Sequence, residues 1–99
     1  MTTPMRAIII PSDTFCAVDG VGFNGVTMVS VAPEIHAVQW YGTNGEIEIQ
    51  DIVTGKMISN IQITSLDAFQ AVFDSYWVIR AAAEHEQQLL IDEQTITEV

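Results

Sequence analysis

The stretch from His36 to Asp51, HAVQWYGTNGEIEIQD, constrains this chain more than any other. Two runs of alternating apolar and polar residues flank Gly42-Thr43-Asn44-Gly45. Period-two patterning around Asn-Gly is the strongest short-range signal of a β-hairpin. Two registers compete. With Asn44-Gly45 alone as the turn, Trp40 faces Ile49 and Val38 faces Asp51. With a four-residue loop from Gly42 to Gly45, Trp40 faces Ile47, Val38 faces Ile49 and His36 faces Asp51. The second gathers the apolar side chains on one face and leaves Gln39, Tyr41, Glu46 and Glu48 on the other. The buried face specifies a register, so the four-residue loop is expected.

Upstream, Met5 to Ile10 reads as a strand covered on both faces, because Ile8, Ile9 and Ile10 are β-branched and continuous. Pro11-Ser12-Asp13 breaks it. Thr14 to Val18 follows as a second strand. A two-residue turn at Asp19-Gly20 pairs Val18 with Val21 and Cys16 with Phe23. Gly22 and Gly25 mark a bulge or a close backbone approach. Val26 to Val31 is expected to be extended, and Pro33-Glu34-Ile35 to turn. Beyond the hairpin, Val53-Thr54-Gly55-Lys56 is a second turn. Met57 to Ile63 is extended, an edge strand or a strap, with Met57, Ile61 and Ile63 sharing a face.

The period then changes from two to between three and four. Thr64 or Ser65 suits a helix cap, and Asp67 suits the positive end of the first turn. Phe69, Val72, Phe73, Tyr76, Trp77 and Arg80 form one stripe. Ala81 to Ala83 carry high helix propensity. The helix is expected over 64–90, and the acidic 91–99 as a free tail. The fold class is therefore α+β. An antiparallel β-meander of five to six short strands, over 5–63, carries one long C-terminal helix, and 1–99 forms a single domain.

Only Arg6, Lys56 and Arg80 oppose thirteen acids, for a net charge of -10. Such a surface repels a phosphate backbone, so direct nucleic-acid binding is not expected. Cys16 is the only cysteine, which excludes an intrachain disulfide or a thiolate metal cluster. The N-terminal apolar run is too short for a secretory signal, and nothing approaches the ~18 apolar residues of a membrane span. A cytoplasmic site of synthesis is expected.

Four groupings invite a chemical reading, and each has a plainer one. In the expected register His36 and Asp51 form a cross-strand pair, but no nucleophile or oxyanion donor accompanies them. His85 lies between Glu84 and Glu86 without a second histidine at metal spacing. Cys16 on an apolar strand has no neighbouring base or cation to activate it. Gly20, Gly22 and Gly25 match the dinucleotide spacing G-x-G-x-x-G, yet a β-like run follows where a helix is required. No catalytic residue, metal site or cofactor is expected. The residues suited to protein binding are Tyr76 and Trp77, adjacent aromatics about 100° apart on the helix, of which one is expected to pack on the sheet and the other to remain available to a partner. To these Leu89, Leu90 and Ile91 add an apolar run within an acidic stretch.

Two segments carry a resemblance. Val18-Asp19-Gly20-Val21-Gly22-Phe23-Asn24-Gly25-Val26 resembles a "VDG, aromatic, G" segment, and Ile35-His36-Ala37-Val38-Gln39-Trp40-Tyr41-Gly42 followed by Gly45-Glu46-Ile47-Glu48 resembles "IHAVQWYG…GEIE". Both are similar to small proteins encoded in the tail or tail-fibre region of tailed bacteriophages and prophages. The resemblance spans roughly Met5 to His85, and the acidic tail departs from it. It implies a non-enzymatic tail-associated protein: a tail-fibre accessory, an assembly chaperone or a minor structural subunit. Its partner would be another tail or tail-fibre protein, met in the host cytoplasm or in the virion, with a homo-oligomer as a further option. The alternative is an acidic inhibitor of a host defence or nucleic-acid-binding protein, with Glu46, Glu48 and the acids after Ala83 in place of phosphates.

Overall fold

The computed structural model of the chain describes residues 5–97, with side-chain environments through residue 90. Six strands form one sheet: β1 (Ala7–Ile10), β2 (Phe15–Val18), β3 (Val21–Phe23), β4 (Ile35–Trp40), β5 (Gly45–Gln50) and β6 (Met57–Ile63). Their order is β3-β2-β1-β4-β5-β6, and every neighbouring pair is antiparallel. Two three-stranded meanders thus meet where β1 pairs with β4. One helix, α1 (Gln70–Thr97), completes an α+β fold.

The first meander follows its turn chemistry. Asp19 and Gly20 both take positive φ, 51° and 85°, as a tight hairpin turn requires. Val18 pairs with Val21 and Cys16 with Phe23, as the sequence implies. The Asp19 carboxylate accepts a hydrogen bond from the Arg6 N–H at 2.9 Å, which ties the turn to the start of β1. Ile8 and Ile10 are only half-buried, whereas Ala7 and Ile9 are buried. The expectation of a strand covered on both faces is thereby corrected, because the single helix covers one face.

Val26 to Val31 does not form the expected strand. Its backbone is claimed elsewhere. The Val26 N–H donates to the Thr14 carbonyl at 3.0 Å, and the Thr27 N–H donates to the Ser75 hydroxyl at 3.1 Å. These bonds hold the segment between the second strand and the helix, with Val26 fully buried.

The central hairpin has the expected faces and different partners. Trp40 lies opposite Gly45, Val38 opposite Ile47, and Ile35 opposite Ile49 across a register shift at His36. The loop holds four residues, Tyr41 to Asn44, closed by the Tyr41 N–H donating to the Asn44 carbonyl at 2.8 Å. Gly45 belongs to β5 because Trp40 needs the space. A Cβ at Gly45 would run into the Gln39 carbonyl and the Trp40 indole, 2.9 Å away.

The helix starts after a short 3-10 turn at Asp67–Phe69, and the Ser65 hydroxyl accepts a bond from the Asp67 N–H at 3.1 Å. Phe69, Val72, Phe73 and Tyr76 bury the apolar stripe against Ile9, Cys16, Val18, Val38 and Trp40. Each such side chain stabilises the fold by roughly 1.5–3 kcal/mol when fully buried. The helix packs on β2 and β3, at the far edge of the sheet from the strand it follows. It also runs to Thr97, past the expected end near Leu90. No glycine or proline interrupts 84–97, so nothing stops it.

Candidate protein-interaction surface

Tyr76 and Trp77 take different roles. Tyr76 is fully buried. Its hydroxyl donates to the Val21 carbonyl at 2.6 Å and accepts from Arg80 Nη1 at 3.0 Å. Its ring packs 5.9 Å from that of Phe23. Tyr76 therefore pins the helix to β3 and offers nothing to a partner, which corrects its assignment as a binding residue. Trp77 meets Tyr76 edge-on at 5.1 Å and remains 46% exposed. The Arg80 guanidinium lies 5.1 Å from the Trp77 ring centroid and donates from Nε to Glu84 Oε1 at 3.0 Å. The hydrogen bonds to Glu84 and then to Tyr76 hold the Arg80 pKa above its ordinary value. The indole is thus braced in one orientation while its outer side faces water.

Beyond Ala83 the helix leaves the core. Every residue from Glu84 to Leu90 is exposed, with Leu89 at 53% and Leu90 at 55%. Eleven residues of helix turn through 1100°, within about 20° of three full turns. Leu90 therefore continues the line of Ile79, which packs on the core, and Leu89 continues the line of exposed Val78. Two apolar lines run past the sheet into solvent. Val78 was missed from sequence because it lies off the stripe; an apolar residue opposite the stripe was the available signal. Ile91 lies outside the described side chains.

The hairpin of β5 and β6 is the second uncovered apolar region. Ile52, Val53, Met57, Ile58 and Ile61 are all exposed. The opposite face of the sheet is polar. Gln39 Nε2 donates to Glu48 Oε2 at 2.6 Å, and the Tyr41 hydroxyl donates to Glu46 Oε1 at 3.3 Å. Asn60 and Gln62 both donate to Glu46 Oε2 at 3.4 Å. Desolvation, then the Glu46 charge, raises the Tyr41 phenol above its ordinary pKa.

The other groupings fall apart in space. His36 sits exposed at the register shift, while Asp51 Oδ1 accepts the N–H groups of Val53 at 2.8 Å and Thr54 at 3.0 Å. The backbone bonds from Thr54 and then Val53 lower the Asp51 pKa. Asp51 builds the turn before β6 and makes no pair with His36. His85 is exposed on the helix. Burial pushes the Cys16 thiol up to about 11, so it is a neutral apolar group at pH 7. Gly20, Gly22 and Gly25 fall in a turn, a strand and a loop, and no helix follows them. Among the described residues, no group of three or more His, Cys, Asp or Glu is placed to hold a metal. An open cleft of about 230 Å³ lies beside Arg6, Ile8, Ala17, Gln39 and Tyr41, below the usual ligand-pocket range of roughly 300–1,000 Å³. Among the described residues, no helix is long and apolar enough to cross a membrane. No protein family, curated protein or solved structure matches the chain.

Proposed function

We propose that this is a non-enzymatic binding protein of a tailed phage: a tail-fibre accessory, assembly chaperone or minor tail subunit. The observation that carries the reading is the projecting end of α1. It presents Leu89 and Leu90 to solvent in line with Val78 and Ile79, on the same helix as the braced Trp77. An amphipathic helix with apolar residues at these spacings fits a hydrophobic groove on a partner. The resemblance of the 18–26 and 35–48 segments to phage tail-region products supplies the setting. The acidic-inhibitor reading has less support, because Glu46 and Glu48 are engaged by Gln39, Tyr41, Asn60 and Gln62 on the polar face.

Co-expression with the tail-fibre protein encoded beside it tests the proposal. A stable complex, or a gain in fibre solubility that Leu89→Glu with Leu90→Glu abolishes, is the expected result. No complex and no change in fibre solubility would overturn it.

A further inference from the structure

Among the described residues strand β6 ends the sheet, so one row of its backbone N–H and C=O groups lacks a strand partner there. Natural edge strands are protected by charged side chains, proline, β-bulges, brevity or a covering element. Among the described residues β6 has only a bulge near one end, at Ile58, where the register with β5 shifts between Ile49 and Gln50. It is seven residues long, MISNIQI, without charge, proline or glycine. Ile58 and Ile61 are 63% and 50% exposed, and only Ile63 is half-buried. The helix packs at the opposite edge.

The distribution of charge selects the occupant. From Ile52 to Leu66 the only charged residue is Lys56, although the chain as a whole carries -10. Two such chains repel across most of their surfaces. β6 itself contributes no carboxylate to this edge, and the Glu46 carboxylate set one strand back is engaged by Asn60 and Gln62. Among the described residues Lys56 has no ion pair. We infer that a second copy of this chain adds antiparallel at β6, giving a two-fold dimer with one continuous sheet. The pairing is centred on Asn60 opposite Asn60. It sets Ser59 against Ile61, with the bulge at Ile58 lying outside this central pair. It also carries Lys56 of each copy to the end of the strand where the other chain runs on toward Asp67. Such an interface is isologous and closes on itself, so the edge is consumed and does not propagate. The projecting helix stays free, so this dimer is independent of the binding role given to Leu89 and Leu90.

Sedimentation equilibrium of the full chain from about 1 to 300 μM tests it. The expected mass is twice 10.9 kDa. Asn60→Lys places two ammonium groups face to face at the two-fold axis, and within its own sheet it lies beside Glu46. It is expected to give a folded monomer, checked by circular dichroism, and Ile61→Lys serves as a second edge variant. Leu89→Glu with Leu90→Glu is expected to leave the dimer intact. Asn60→Cys is expected to form a covalent dimer on mild oxidation, with Cys16 buried and unreactive. A wild-type monomer throughout the range overturns the inference. So does a dimer that survives both edge variants, or one lost through the helix variant. Failure of Asn60→Cys to cross-link overturns the pairing centred on Asn60.

Discussion

Replacing Tyr76 by Phe removes one oxygen from the core and leaves the ring in place. That oxygen makes two bonds, to the Val21 carbonyl at 2.6 Å and from Arg80 Nη1 at 3.0 Å. The bond to Val21 joins helix to edge strand; a typical net contribution is ~1 kcal/mol. Val21 is itself exposed, so its carbonyl regains water in part. The Arg80 bond involves a charge, but Arg80 keeps Glu84 and its stack on Trp77. A further ~0.5–1 kcal/mol is reasonable there. The sum is about 1.5–2 kcal/mol, which lowers Tm by about 6–16 °C in a domain of this size. Urea and thermal unfolding followed by circular dichroism and tryptophan fluorescence read it out. A double-mutant cycle with Arg80→Met isolates the second bond. A loss below ~0.5 kcal/mol would refute the reasoning, because it would mean that the hydroxyl does not fasten α1 to β3.

Two other predictions follow from positions where the fold leaves little latitude. Gly45→Ala places a methyl group against the Gln39 carbonyl and the Trp40 indole; a loss of about 1–3 kcal/mol in urea melts is expected from overpacking, and a neutral result would contradict the observed register. Cys16 has a folded pKa raised from 9.0 to about 11 by burial, so the folded state holds its proton longer than the unfolded chain. Stability should therefore be intact below pH 9 and fall as pH rises from 9 toward 11. A Cys16→Ala variant, compared across the same pH series, should lack that part of the slope.

Much of the fold can be read from residues whose local chemistry and burial agree. Asp19-Gly20 sets its hairpin because the turn demands positive φ at both central positions, and the observed pairs follow. The stripe Phe69, Val72, Phe73, Tyr76 meets the sheet because its spacing puts all four on one side of a helix. The central hairpin was harder. Its faces were legible from alternation, but its partners moved because Gly45 acts as space for Trp40, and a glycine beside Asn44 looks like turn chemistry. Val26 to Val31 is β-like in composition, yet Thr14 and Ser75 take hydrogen bonds from its backbone, and those residues are distant in sequence. The candidate surface was half legible. Adjacency of Tyr76 and Trp77 implied that one is buried and one exposed. The identity of the buried one follows from β3, where the Val21 carbonyl waits for a donor. The bare edge at β6 depended on which strand ended the sheet, and that required the strand order.

The proposed role of the projecting helix is to bind a phage tail protein. The most direct measurement is the dissociation constant between the purified chain and the tail-fibre protein encoded beside it, with Leu89→Glu and Leu90→Glu as the paired variant. Micromolar or tighter binding is predicted, weakened at least tenfold by the variant while its circular dichroism stays unchanged, a loss of about 1.4 kcal/mol or more. Absence of binding, or equal affinity for wild type and variant, would contradict the claim.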